Sequence, residues 1–125
     1  DVNKMFNYLE QPKTGINFLK ECKYILPSPL FAKRAMLQLI DEEIKQARKK
    51  KPAAITLKMN SLSDEDMILK LYEAARAGVQ LRLIVRGVFC MFSEHKKFKK
   101  PVKAISIVDE YLEHARVWVF HNHCR

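Results

Sequence analysis

Two short apolar runs separated by one amphipathic stretch constrain this chain more than any other feature: Ile55-Thr56-Leu57-Lys58-Met59, then Met67 to Ala75, then Val79 to Val85. In the middle stretch Met67, Ile68, Leu71, Ala74 and Ala75 recur at helical spacing. Ser63 followed by Asp64, Glu65 and Asp66 matches a capping box with acids in the first turn. Gly78 stands where a helix needs a left-handed C-cap. Strand, helix and strand joined by short connections read as a right-handed parallel unit. The expected fold class is α/β, with a mixed or mostly parallel sheet flanked by helices.

The flanking segments extend this pattern. Tyr24-Ile25-Leu26, closed by Pro27, reads as a first strand, and Ser28-Pro29 as an N-cap with proline at the first helical position. From Leu30 to about Arg48 the spacing of Met36, Leu37, Ile40, Ile44 and Ala47 predicts a helix with Asp41, Glu42 and Glu43 mostly on its other face. Lys49-Lys50-Lys51 and Pro52 end it. After Gly87 come an apolar run, Val88 to Phe92, and a basic loop, Glu94 to Pro101. Ala104 to Val108 predicts a strand, Asp109 to Glu113 a short helical turn, and Ala115 to Phe120 a final strand. The first ~20 residues, with Pro12 and Gly15, read as the tail of a preceding element plus a linker.

Charge narrows the partners. Lysine and arginine number 23 against 14 acids, a formal net charge of +9, which favours polyanions without choosing among nucleotides, nucleic acid, polyphosphate and acidic lipid. With 125 residues, 48% of them hydrophobic, the chain has enough material for one ordinary core. Cys22, Cys90 and Cys124 are an odd, widely spaced set with neither a zinc pattern nor a disulfide framework, which suits a reducing cytoplasm. No apolar run approaches the ~20 residues of a membrane span, and Asp1 to Tyr8 is expected not to be a signal peptide. The start without Met and the end at His-Asn-His-Cys-Arg are read as cuts from a longer protein.

Four places could carry chemistry. Glu113-His114-Ala115-Arg116 leads into the last strand, where alternation would point His114 and Arg116 the same way, an imidazole and a guanidinium able to meet a phosphoryl group. His-x-Arg is short, and the spacing alone more often marks a histidine packed at a strand end. Arg86-Gly87 stands beyond the carboxyl end of a strand, where open α/β sheets bind ligands, and the same residues equally fit a solvated strand end. Lys58, Asn60 and Ser61 end the neighbouring strand before a helix N-terminus, an anion cradle or an ordinary turn. The basic loop Lys96 to Lys100, interleaved with Phe92 and Phe98, could track a polyanion or simply be solvated. His121-Asn122-His123-Cys124 is rejected as a metal site, and no Walker, nucleophile-elbow or Rossmann signature is present.

Taken together, Ile55 to Leu62, Leu71-Tyr72-Glu73-Ala74-Ala75, Ala77-Gly78-Val79, Leu83-Ile84-Val85-Arg86-Gly87 and Ile105 to Val117 resemble, in order and spacing, the C-terminal half of polyphosphate kinases of the phospholipase-D-like type. Asp1-Val2 with Phe6-Asn7-Tyr8-Leu9 resembles the end of the preceding catalytic domain. The resemblance implies residues 1–22 as a tail and linker and 23–125 as the second phospholipase-D-like domain, lacking a final element. It implies an enzyme that moves the γ-phosphate of ATP onto polyphosphate through a phosphohistidine outside this chain. ATP or ADP is then the substrate and Mg2+ is held by residues elsewhere. By resemblance His114 is the catalytic histidine and also contacts ATP phosphate, and Arg86 binds that phosphate. Arg116, Lys58 and Asn60 are possible secondary phosphate contacts. The implied setting is a bacterial cytoplasm, with membrane association left open, a homo-oligomeric intact enzyme and no nucleic-acid partner; the fragment alone is expected to be inactive. Two other readings stay open: a phospholipase-D-like phosphodiesterase, and a non-catalytic nucleic-acid-binding module that uses the basic loop.

Overall fold

The computed structural model describes residues 1–107 and 114–122. The expected turn over Asp109–Glu113, the strand's end at Val108, and His123 and Cys124 lie outside them. The chain forms two compact units, Asp1–Met36 and Leu37–Arg125.

In the first unit α1 (Val2–Glu10) packs on α2 (Ile16–Lys20). Gly15 makes that corner possible, because a Cβ there would stand 2.7 Å from the Gln11 carbonyl oxygen. The expected strand at Tyr24–Leu26 is absent. The Asp1 carboxylate instead accepts the backbone N–H groups of Lys23, Tyr24 and Ile25 at 2.6–2.9 Å. Donors turned onto one side chain cannot also run a strand ladder, and Tyr24 is left 94% exposed. The next helix also starts later than expected. A turn over residues 28–31, containing a cis Ser28–Pro29 peptide, precedes α3 (Ala32–Arg48), so proline is not its first residue.

Among its described residues the second unit is a four-stranded mixed sheet with the part of α3 from Leu37 onward and α4 (Glu65–Ala77). The strands are β1 (Ala54–Met59), β2 (Gln80–Val85), β3 (Lys103–Ile105) and β4 (Val117–Phe120), in the order β3-β2-β1-β4. β1 runs parallel to β2 with Leu57 opposite Leu83, and β2 runs parallel to β3 with Arg82 opposite Lys103. β4 runs antiparallel to β1 with Trp118 opposite Leu57. The expected α/β class with a mixed sheet is what forms.

Alternation buries one side of the sheet. Ile55, Leu57, Leu81, Leu83 and Val85 are all 4% exposed or less, and Ile40, Ile44, Leu71, Ala74 and Ala75 of the helices complete the core. Each large aliphatic side chain so buried contributes about 1.5–3 kcal/mol. The other side carries Thr56, Lys58, Arg82 and Ile84, with Ile105, Val117 and Val119 about half exposed or more. The helix α4 is capped by Asp64, whose carboxylate accepts the Met67 N–H at 3.0 Å, not by the expected Ser63. It ends at Gly78 with φ +104°, the left-handed cap foreseen.

One acid stands opposite to its expected place. Glu43, assigned to the solvent face of α3, is 2% exposed. Its carboxylate accepts the Ala54 N–H at 3.0 Å and the Asn122 N–H at 2.6 Å. Both N–H groups sit where strands meet loops, so the carboxylate holds the start of β1 and the exit of β4 together. Among the described residues no helix is long and apolar enough to cross a membrane.

Candidate functional site

The site follows from strand direction. β1 and β2 are parallel, so Met59 and Val85 finish side by side, and antiparallel β4 begins at the same edge, where Val117 pairs with Lys58. Three separate chain segments, 58–60, 84–86 and 115–116, therefore meet there. Their shared cleft is lined by Lys58, Met59, Asn60, Arg86 and Arg116, with Ile84, Ile107 and Ala115 as its apolar wall. It is narrow and partly open to solvent, with a cavity volume of about 10 Å³, room for about one water molecule.

Backbone contacts set these side chains. The Arg86 N–H donates to the Met59 carbonyl at 3.3 Å and the Gly87 N–H to the Asn60 carbonyl at 2.6 Å, locking the two strand exits together. Gly87 allows that approach, since a Cβ there would lie 3.0 Å from the Asn60 carbonyl oxygen and 3.1 Å from Ser61 Oγ. The Ser106 hydroxyl lies 3.5 Å from the Arg86 carbonyl, which it can reach as a donor. The Asn60 amide donates to Ser61 Oγ at 3.2 Å. Beyond it, Leu62 forms a bridge with Phe89, its N–H donating to Val88 and its carbonyl accepting from Cys90. The chain after each strand is thereby held to the chain after the other.

The sequence-derived candidates fall into place unevenly. Lys58, Asn60, Arg86 and Arg116 share the cleft, with Lys58, Asn60 and Arg86 half-buried and Arg116 exposed. His114 is exposed and is not among the lining side chains; it precedes Ala115 and Arg116 directly. The alternation argument for His114 and Arg116 does not hold, because β4 starts only at Val117 and both residues precede it. The Arg116 guanidinium instead donates back to the His114 carbonyl. The anion cradle expected at the helix following Asn60 is not formed. Asp64 occupies the cap, and Glu65 and Asp66 fill the first turn with negative charge.

Among the described residues no three His, Cys, Asp or Glu side chains come together. In the segment rejected as a metal site, the His121 N–H donates to the Ala54 carbonyl and Asn122 to Glu43, both structural bonds. Sequence reading missed Glu43, although its place three residues after Ile40 and four before Ala47 lies on the apolar stripe.

Fold and cleft together define an α/β domain that gathers two guanidinium groups, an ammonium and an amide at one sheet edge, a set suited to anionic oxygens. Residues 25–125 match the family described as polyphosphate kinase C-terminal domain 2. The chain belongs to the polyphosphate kinase family. It is 38% identical over 122 residues to the polyphosphate kinase of Salmonella typhimurium and 42% identical over 122 residues to that of Exiguobacterium sibiricum. These alignments cover 98% of the chain but only 17% and 16% of the relatives, so the chain spans about one sixth of their length. The crystal structure of polyphosphate kinase from Porphyromonas gingivalis superposes with a TM-score of 0.67 at 37% identity, over 77% of this chain and 17% of that one.

Proposed function

We propose that the polypeptide carrying this domain is an ATP:polyphosphate phosphotransferase, which passes the γ-phosphate of ATP to polyphosphate through a phosphohistidine outside these 125 residues. Residues 23–125 are its second phospholipase-D-like domain and residues 1–22 the tail of the domain before it. The observation that carries the reading is the convergence of Lys58, Asn60, Arg86 and Arg116 on one cleft, in a chain of this family. Phosphoryl transfer is mainly positioning and charge neutralisation. Arg86, half-buried and fixed through its own backbone to β1, offers a planar fork to two oxygens of a terminal phosphate. Lys58 adds positive charge from the neighbouring β1, Arg116 adds it from the entrance to β4, and Asn60 adds an amide. His114, at the exposed entrance to β4, meets the phosphate when the nucleotide and the other domain are present. Mg2+ would supply charge neutralisation between phosphates, held by residues elsewhere. The enzyme is a homo-oligomer in a bacterial cytoplasm and has no nucleic-acid partner.

The test is polyphosphate synthesis from ATP by the full-length protein. Arg86→Ala and His114→Ala are each expected to lower turnover by about 10²-fold or more while thermal unfolding stays unchanged. Near-normal turnover in either folded variant would remove that residue from the reaction. ATP-independent hydrolysis of a phosphodiester would replace the reading with a phosphodiesterase.

A further inference from the structure

The two sides of the sheet are finished differently. The side that carries Ile55, Leu57, Leu81, Leu83 and Val85 is sealed beneath helices, each of these residues being 4% exposed or less. Both connections between parallel strands run over that same side. β1 passes to β2 through α4, whose Leu71, Ala74 and Ala75 are fully buried. The connection from β2 to β3 is fastened to α4 as well. The Phe92 N–H donates to the Tyr72 hydroxyl at 2.8 Å, the Phe98 ring stacks on Tyr72, and the Lys99 N–H donates to the Ala75 carbonyl. Among the described residues of this unit no crossover helix lies over the opposite side.

Strand register makes that opposite side one continuous face. Ile105, Ile84, Lys58 and Val117 stand in one row across β3, β2, β1 and β4. Lys103, Arg82, Thr56 and Val119 stand in the next. Ile105 is 61% exposed, Val117 47% and Val119 53%, and Arg82 and Lys103 are exposed too. Parallel strands normally have both sides covered, because their crossovers lay helices on them. Three of the four strands here are parallel neighbours, yet one side is bare. Covering it would withdraw four branched aliphatic side chains from water.

Charge selects the covering element. Arg82 and Lys103 stand directly opposite each other, and neither row contains an acid. A second copy packed about a twofold axis would set this cationic face against itself, and like charges so placed repel. A polyanion would match the cations but leave Ile84, Ile105, Val117 and Val119 without an apolar partner. An amphipathic helix with carboxylates beside its apolar stripe answers both demands. Four strands about 4.8 Å apart make a face roughly 14 Å across, which one helix of about 10–12 Å diameter nearly spans. Chain to supply it is plentiful in proteins of this family, since the matched stretch is 17% and 16% of the two relatives named above.

We infer that the outer side of the sheet is a docking face for an acidic amphipathic helix of the same polypeptide, contributed from outside these 125 residues. Ile84, Ile105, Val117 and Val119 receive its apolar stripe, and Arg82 and Lys103 its carboxylates. Lys58 and Ile84 also line the cleft, so the docked helix stands beside the cleft and walls it on that side. The inference rests on the proposal that the domain belongs to a longer polypeptide, not on the phosphate chemistry of Arg86. The experiment uses the full-length protein. A maleimide should modify the thiol of Val119→Cys on the order of 10²-fold more slowly in the native protein than in urea, read from the labelled peptide by mass spectrometry. A carbodiimide, which joins an ammonium to a carboxylate in contact with it, should couple Lys103 to an Asp or Glu outside these 125 residues within one polypeptide. Lys103→Gln should lose that product. If Val119→Cys does not fold by circular dichroism, Ile105→Cys reads the same face from β3. A thiol that reacts equally fast in both states overturns the inference. So does a Lys103 product that joins two copies or ends within these 125 residues. A protected thiol with Lys103 coupled to nothing also overturns it, by removing the acidic partner. None of these readouts uses turnover, so loss of the phosphotransferase reading would leave them intact.

Discussion

Glu43 offers the sharpest test of how the sheet is assembled. Its carboxylate is 2% exposed and accepts two backbone N–H groups, from Ala54 at 3.0 Å and Asn122 at 2.6 Å. A hydrogen bond to a charged group is worth about 1.5–3 kcal/mol net, so two could total roughly 3–6. Withdrawing a carboxylate from water offsets part of that, which brings the expected cost of Glu43→Ala to about 2–4 kcal/mol. Glu43→Gln is the more discriminating change. It keeps one acceptor oxygen but presents an NH2 group to an N–H donor, so one bond is lost and two donors face each other. A cost of about 1.5–3 kcal/mol follows, despite near-identical volume. Urea unfolding measures the total, and amide hydrogen exchange locates it. Ala54 and Asn122 should lose protection before the centre of β2 does. If Glu43→Gln costs under about 0.5 kcal/mol, or if exchange at those two amides does not change, the carboxylate does not hold the strands as described.

Other perturbations follow from the same geometry. Gly78→Ala forces a side chain into φ +104° and should cost about 1–2 kcal/mol in urea unfolding, whereas its nearest neighbour, the Lys99 chain at 3.5 Å, leaves room for the methyl group itself. Gly87→Ala puts a Cβ 3.0 Å from the Asn60 carbonyl oxygen, so the exits of β1 and β2 must separate by a few tenths of an ångström. Tripolyphosphate binding should weaken more than stability, which should fall by roughly 1 kcal/mol. Lys70 is held above its ordinary pKa by hydrogen bonds first to Asp41 and then to Glu73. A raised pKa means the stabilisation is complete below the unfolded value of 10.5 and is lost as pH rises through the higher folded value. Lys70→Met should therefore cost about 0.5–1 kcal/mol at neutral pH, and the difference from the parent should vanish at strongly alkaline pH.

Most of the second unit was legible because its signals are local. The apolar runs of β1 and β2, the stripe of α4 and the glycine behind it each depend on residues within one turn or one strand. What escaped depends on residues distant in sequence. Tyr24-Ile25-Leu26 has strand-like composition, but Asp1, more than twenty residues earlier, takes its N–H groups. Glu43 looked like a solvent-facing acid because its partners, Ala54 and Asn122, lie 11 and 79 residues away. Ser63 and Asp64 were both competent caps, and one hydrogen bond to Met67 decides between them. No local pattern could supply that choice.

The site was legible for a different reason, which also explains its limits. Arg86 could be singled out because a cation just past a strand's carboxyl end is where α/β sheets meet ligands, whatever the remaining topology. The grouping of Lys58, Asn60 and Arg116 around it needed two further facts: that β1 lies beside β2, and that β4 returns antiparallel. With β4 parallel instead, its entrance would lie at the opposite edge of the sheet, roughly 17 Å from Arg86. Val117 opposite Lys58 fixes the actual arrangement and brings Arg116 to the cleft, with His114 two residues before it. The single antiparallel pairing therefore makes one site out of three segments, and the Glu43 carboxylate ties β1 and β4 together at the other end of that same pairing.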